Sequence, residues 1–293
     1  MSQRGGPRLA VVGAGSMGAQ IAQQAALFGL SVALQDISED QLERARRSNR
    51  QLLERRVAKG RLDPAAMAAA WERVSTTTDL AQAASGADIV LEAVTEKLGA
   101  KREIFGRLAA FSKPEAILAS NSSTMGISQL ISPACRPERC CNLHFFYPPL
   151  VMDLVEVVKG PQTSDETIQR ATRFVRDIGR TPVLVRREIA GFVVNRILHM
   201  ATQEAYRLLD LGVASVEDID TAVEMGLRWP LGPFRLGDLT GLDVTYCARQ
   251  HMYETTGDPR YKPSEQLAAK VAAGELGRKT NQGWYSYPSK VKR

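Results

Sequence analysis

The sequence predicts an α/β protein: a doubly wound, mostly parallel sheet over residues 1–187, then an all-helical domain over residues 188–293. Three observations predict it. Short apolar strand-like runs alternate with helix-like runs through the first half, as expected when crossover helices cover a parallel sheet. Gly13-Ala14-Gly15-Ser16-Met17-Gly18 lies directly after the first such run and opens a helix. From Gly191 onward, Phe192, Ile197, Leu198, Ala201, Ala205, Leu208 and Leu209 recur at helical spacing and strand-like runs vanish.

Leu9 to Val12 is a short apolar strand ending in Gly13, Ala19 to Phe28 reads as helix, and Val32 to Gln35 returns to strand, closing a β-α-β unit. A charged helix follows from about Asp40 to Ala58 with Gly60 as its stop, and Pro64 opens an alanine-rich helix. Further strands are expected at Asp88 to Val94, Ala116 to Ala119, Cys140 to Phe146, Leu154 to Val158 and Pro182 to Val185. The domain boundary falls near Arg187 to Ala190. Beyond it, Asp210-Leu211-Gly212 ends the long helix, Ser215 with Asp218 caps the next, and Pro230, Gly232, Pro233, Gly237 and Gly241 break the chain into short helices.

The 293 residues carry 38 Lys and Arg against 32 Asp and Glu, a formal charge of +6. The basic residues are interspersed with acidic ones, without a basic stripe and aromatic interleaving, so nucleic acid is not an expected partner. The mild positive bias instead suits a polyanionic small molecule. With no apolar run of about 18 residues, a spanning helix is not expected. Met1 to Pro7 carries no apolar signal region, and the chain is read as cytoplasmic. Cys135, Cys140, Cys141 and Cys247 form no C-x-x-C pair and, with three scattered His, lack zinc spacing; they read as free thiols, and no metal is expected.

The glycine motif is the most informative local signal. Gly13 permits a tight turn, Gly15 lets a pyrophosphate approach the backbone, and Gly18 lets helix and sheet pack closely, with Ser16 and Met17 at the helix opening. This is the fingerprint of a Rossmann-type dinucleotide site. Asp36 follows the second strand, where a carboxylate accepts ribose hydroxyls and repels the extra phosphate of NADP; Ile37 and Ser38 offer no offsetting Arg, so the cofactor expected is NAD.

Oxidising a secondary alcohol with NAD needs a base for the hydroxyl proton. His144, near the end of a strand-like run and bracketed by Leu143, Phe145 and Phe146, is the best candidate, since His199 and His251 fall in helical patterns. Glu156 sits mid-run in Leu154-Val155-Glu156-Val157-Val158, a costly place for a charge unless it is paired. A His–Glu pair satisfies both, although spacing alone leaves open a satisfied core His and an unrelated edge Glu. Ser120-Asn121-Ser122-Ser123-Thr124 ends another strand with short polar side chains suited to a substrate oxygen and a carboxamide, although an ordinary polar loop is the simpler reading.

With these residues in view, the chain resembles the L-3-hydroxyacyl-CoA dehydrogenase family, which includes 3-hydroxybutyryl-CoA dehydrogenases. The resemblance runs through Val12 to Gly18, Ser120 to Ser123, His144-Phe145-Phe146 with Leu154 to Val157, Gly191-Phe192-Val193-Val194-Asn195-Arg196, Gly232-Pro233-Phe234 and Gly277-Arg278-Lys279-Thr280. It implies His144 as general base, Glu156 as its orienting partner, Ser123 as a donor to the reacting oxygen and Asn195 as a further polar contact. It also implies Glu96 and Lys101 near the nicotinamide end of NAD, with Asn121 beside the ring. A homodimer formed by the helical domain, an acyl-CoA substrate and a place in fatty acid metabolism follow from the same resemblance. Arg55, Arg56 and Lys59 are candidates for CoA phosphates, with a solvated helix face as the alternative.

The chain departs from the family at Tyr147 and Pro149, where Asn and a small aliphatic residue are usual, at Ala190 before Gly191, and at Asn281 in place of a frequent Gly. Tyr147 lies close to His144, so acyl preference is the property these changes touch. Two competing readings are a lambda-crystallin-like L-gulonate 3-dehydrogenase and a non-catalytic NAD-binding or structural protein. The broader β-hydroxyacid dehydrogenases place a Lys four residues after the Asn of their G-x-x-x-N element, whereas this chain has His199 there.

Overall fold

Residues 8–288 are described by a computed structural model, so the reading of Met1 to Pro7 lies outside the described residues. The chain divides into two compact units, one ending at Ile189 and the other starting at Ala190.

The first unit is built on one eight-stranded sheet. Its strands are β1 (Arg8–Val12), β2 (Ser31–Gln35), β3 (Val74–Thr77), β4 (Ile89–Glu92), β5 (Ile117–Ser120), β6 (Cys140–Phe145), β7 (Leu154–Val158) and β8 (Thr181–Val185). They lie in the order β3-β2-β1-β4-β5-β6-β7-β8, parallel throughout except for the antiparallel β6–β7 pair. The order reverses between β1 and β4, creating the crevice at which doubly wound sheets bind ligands. The helices are α1 (Ser16–Leu27), α2 (Glu39–Ala58), α3 (Pro64–Glu72), α4 (Leu80–Ala84), α5 (Leu98–Phe111), α6 (Ile127–Leu130) and α7 (Asp165–Asp177). The sequence reading leaves β3 unassigned; Val-Ser-Thr-Thr is a half-exposed edge strand with little apolar signal.

Strand alternation divides the core in two. Leu9, Val11, Val32, Leu34, Leu91 and Leu143 face α1 and α7, where Ala22, Ala25, Phe174 and Val175 are buried. Ala10, Val12, Val90, Leu118 and Cys140 face the other layer, against Leu80, Phe105, Leu108, Ile127 and Leu130. The cross-strand pairs Val90–Leu118–Cys140, then Glu92–Ser120–Asn142, then His144–Glu156 all lie on this second face. The face therefore changes from apolar to polar toward the carboxyl ends of β4, β5 and β6.

The second unit contains α8 (Val194–Asp210), α9 (Val216–Gly226), α10 (Pro233–Thr240), α11 (Leu242–Thr256) and α12 (Glu265–Ala272) around Tyr206, Phe234, Leu242, Leu267 and Trp284. Ser215 caps α9, accepting from the Asp218 amide at 3.1 Å. Two of the motifs noted above are structural here. Gly232 packs so closely on Asp220 that a Cβ would lie 2.5 Å from the Asp220 Cα, and Asp220 accepts the amides of Phe234 and Arg235. Gly277 packs likewise on Asp238, whose carboxylate accepts the Trp284 and Tyr285 amides at 2.9 Å each. The helical run expected from Phe192 instead begins at Val194; Gly191 and Phe192 both have positive φ, which takes Phe192 out of the helix. Ile197, read as an apolar-face residue, is exposed. No helix among the described residues is long and apolar enough to cross a membrane.

Candidate active site

The glycine turn after β1 is shaped by close approach. A Cβ on Gly13, which has φ +101°, would lie 2.5 Å from the Ala93 carbonyl oxygen, and one on Gly18 would lie 1.9 Å from that of Gly13. Around Gly15 there is open space, nothing lying within 4 Å of a Cβ position. Gly15 is the N-cap of α1 with no side-chain cap, and the first turn, beginning Ser16-Met17, holds no acidic residue, so amides and helix dipole are available to an anion. Asp36 braces this turn: Oδ2 accepts from the Ala14 amide at 2.8 Å and Oδ1 from the Ser38 amide at 3.1 Å. A cavity of about 500 Å³ opens beside it, lined by Gly13, Gly15, Asp36, Ile37, Thr95 and Ile104 among others. An anion cradle with a carboxylate at the edge of a partly apolar cavity fits the pyrophosphate and adenosine of a dinucleotide.

His144 and Glu156 are register partners across β6 and β7, and the imidazole Nδ1 lies 2.7 Å from Glu156 Oε2. Both are buried, and the Phe146 ring stands 4.5 Å from the imidazole, centre to centre. A carboxylate on Nδ1 fixes the tautomer that leaves Nε2 as the proton acceptor and offsets the charge formed on protonation. The polar cluster after β5 is anchored alongside. Asn121 Oδ1 accepts from the Phe145 amide at 3.0 Å, and the partly buried Ser123 follows on the same loop.

Glu96 and Lys101 also meet, with Lys101 Nζ 3.1 Å from Glu96 Oε2. Burial raises the Glu96 carboxyl, but the Lys101 ammonium and the Ser122 and Thr124 hydroxyls outweigh it and hold the group below its ordinary range. One residue the sequence reading passes over belongs to this cluster. Glu92, wholly buried at the end of β4, accepts from Lys101 Nζ at 2.7 Å, from Ser120 Oγ at 2.6 Å and from the Val94 amide at 2.8 Å. A signal like that of Glu156 could have found it: a carboxylate set between the apolar residues Ile89-Val90-Leu91 and Ala93-Val94.

A second cavity, about 520 Å³, lies between α2 and the loop after β6. Arg44, Arg55 and Arg56 line it from α2, joined by Lys59 at the helix C-cap and by Arg61; Tyr147, Pro148, Leu150 and Val151 form the facing wall, and Gly15 and Ser16 part of the floor. The loop is pinned: the Leu150 amide donates to Gln20, Arg56 donates to the Leu150 carbonyl, and Arg180 donates to the Pro149 carbonyl and to Asp153. The sequence candidates Arg55, Arg56 and Lys59 thus share one cavity, while Arg44, Arg61 and Tyr147 join them only in the fold. Asn195 belongs to the second unit, as the second residue of α8, one turn before the buried His199.

Residues 8–189 match the 3-hydroxyacyl-CoA dehydrogenase, NAD binding domain, and residues 191–287 match the 3-hydroxyacyl-CoA dehydrogenase, C-terminal domain. A 3-hydroxybutyryl-CoA dehydrogenase of Bradyrhizobium diazoefficiens is 39% identical over 96% of this chain and 95% of its own. The mitochondrial hydroxyacyl-coenzyme A dehydrogenase of Homo sapiens is 39% identical over 94% of this chain and 90% of its own. The crystal structure of (S)-3-hydroxybutyryl-CoA dehydrogenase from Ralstonia eutropha superposes with a TM-score of 0.89 at 37% identity, covering 96% of this chain and 99% of that one. On these matches and on the two-part architecture that carries them, the chain belongs to the 3-hydroxyacyl-CoA dehydrogenase family.

Proposed function

We propose that the protein is an NAD-dependent oxidoreductase that interconverts an L-3-hydroxyacyl-CoA, of the 3-hydroxybutyryl-CoA type, and the corresponding 3-oxoacyl-CoA. The observation that carries the reading is the buried His144–Glu156 pair on the face of the sheet that also presents Glu92 and Ser120 at its carboxyl edge.

Bound NAD supplies the two-electron acceptor for the hydride leaving C3 of the substrate. As that hydride leaves, His144 Nε2 takes the proton from the C3 hydroxyl and the O–H electron pair becomes the second bond of the new carbonyl. Glu156 holds the ring in the accepting tautomer and balances the imidazolium; such base catalysis is typically worth about 10²–10⁴-fold. In this reading Ser123 donates to the reacting oxygen and Asn195 gives a further polar contact. Gly13, Gly15, Ser16, Met17 and Gly18 hold the pyrophosphate, and Asp36 the adenosine ribose. Glu96, Lys101 and Asn121 serve the nicotinamide end.

Lys59, with Arg55 and Arg56, receives the CoA phosphates. Support comes from the clustering of five cations around one 520 Å³ cavity whose far wall is apolar, a match to a ligand with phosphates at one end and an uncharged arm at the other. A homodimer and a cytoplasmic location belong to the same reading; the free thiols Cys135, Cys140, Cys141 and Cys247 suit a reducing compartment.

The test is loss of NADH absorbance on mixing the protein with acetoacetyl-CoA, repeated with NADPH, and with gulonate plus NAD. Rapid oxidation of NADH that disappears in His144→Ala is the expected result. Oxidation of gulonate without turnover of acetoacetyl-CoA would overturn the acyl-CoA reading.

A further inference from the structure

Glu92 is a buried carboxylate to which the reaction described above gives no task. Its oxygens are fully engaged by Lys101, Ser120 and the Val94 amide. Lys101, itself buried, reaches past it to Glu96. One ammonium therefore stands between two carboxylates, a formal sum of −1. The two acids are not equivalent: the Glu92 side chain is wholly enclosed, whereas that of Glu96 is 42% exposed at the outer end of the cluster. A buried ammonium needs a partner, and the enclosed carboxylate, which accepts from three donors, is the deeper one. Lys101 is thus shared between the two, and the cluster as a whole keeps one negative charge that no cation within it cancels.

The cluster sits where charge matters to a dinucleotide. It spans the carboxyl ends of β4 and β5, adjoining the glycine turn of β1, and in a doubly wound sheet the cofactor half beyond the pyrophosphate runs along this edge. The oxidised nicotinamide ring carries one positive charge and the reduced ring carries none, so an excess negative charge here discriminates between them.

We infer that Glu92 is a positioning residue that sets the net negative charge of the Glu92–Lys101–Glu96 cluster, and that this charge favours binding of the oxidised cofactor over the reduced one. The inference rests on the NAD reading. Glu92→Gln removes the charge with little change of shape: the amide oxygen faces Lys101 and Val94, and the amide nitrogen donates to Ser120 Oγ, which as a hydroxyl can also accept. Lys101 and Glu96 are then left as a neutral pair.

The experiment measures Kd for NADH by fluorescence titration and for NAD by competition against it, on the full chain and its Glu92→Gln, Glu92→Asp and Glu96→Gln variants. In both Gln variants the affinity for NAD should fall relative to NADH by about three- to tenfold, the order expected for one unit charge acting through partly hydrated surroundings. Glu92→Asp, which keeps the charge, should stay close to the parent ratio. Equal weakening of both cofactor forms in Glu92→Gln would reduce Glu92 to a purely structural support and overturn the inference. Should that variant fail to fold, Glu96→Gln at the exposed end reads the same charge, and an unchanged ratio there overturns it equally. A parent protein that binds neither form would overturn the NAD reading itself, an outcome distinct from an unmoved ratio.

Discussion

His144 and Glu156 stand directly opposite one another on the antiparallel β6 and β7, with Nδ1 and Oε2 2.7 Å apart and both side chains buried. If the carboxylate orients and charge-compensates the imidazole, Glu156→Gln should lower kcat by about 10²-fold or more while leaving the affinity for NADH nearly unchanged. It should also displace the acidic limb of the pH–kcat profile. Steady-state kinetics across pH 5 to 9 check both, and a variant with the parent's rate and profile would remove Glu156 from the mechanism.

Asp36 ties the glycine turn to β2 through Ala14 and reaches Ser38 with its other oxygen. Asp36→Ala should therefore do two things. NAD binding should weaken by about tenfold through loss of the ribose acceptor and of the brace on the turn. The preference for NAD over NADP should narrow, because the like charge facing a 2′-phosphate is gone. Titration with both cofactors measures this, and an unchanged preference counts against the assignment.

The basic cavity makes a prediction about substrate handles. Lys59→Ala and Arg56→Ala should raise KM for an acyl-CoA, and more steeply at low salt, while leaving KM for the matching acyl-N-acetylcysteamine unchanged, since that truncated thioester has no phosphates. Parallel kinetics with the two substrates read the difference directly. Equal effects on both would move the CoA phosphates elsewhere.

His199 gives a stability prediction in the second unit. Burial, reinforced by the Arg249 guanidinium, pushes its imidazole down to about 4 from an ordinary 6.5. Between those values the unfolded chain binds more protons than the folded one. The stabilising contribution is therefore complete above about pH 6.5 and is lost as pH falls from there toward 4. Urea midpoints measured across that window should decline less steeply in His199→Leu than in the parent. Identical slopes would show that the imidazole is not the group responsible.

Much of this was legible in the sequence because it is local. The β-α-β unit, the glycine turn and Asp36 lie within the first 36 residues, and its place inside an apolar run marked Glu156 as a charge in need of a partner. Asn281, which the sequence reading sets in place of a frequent Gly, has φ 60°, a left-handed position that Asn tolerates better than most residues. The unread parts depend on distant segments. Glu92 lies inside the strand expected at Asp88 to Val94, but its partners Lys101 and Ser120 arrive from α5 and β5 and meet it only in the fold. Arg44 and Arg61 join the other cations around one cavity only because the loop carrying Tyr147, some ninety residues further along, supplies the opposite wall.

The antiparallel β6–β7 ladder has one more consequence, for how the protein can change over generations. The segment joining these strands, Phe146 to Asp153, carries Tyr147 and Pro149, two of the four positions at which the sequence reading sets this chain apart from the family pattern, and forms one wall of the basic cavity. On the proposed reading, substitutions there would retune what the protein accepts. A one-residue slip of the ladder cannot be tolerated in the same way: it would set a valine opposite His144 and turn Glu156 into the apolar layer that holds Val155 and Val157. Changes of composition in the loop thus leave the phase of its flanking strands untouched, and with it the pairing of His144 with Glu156.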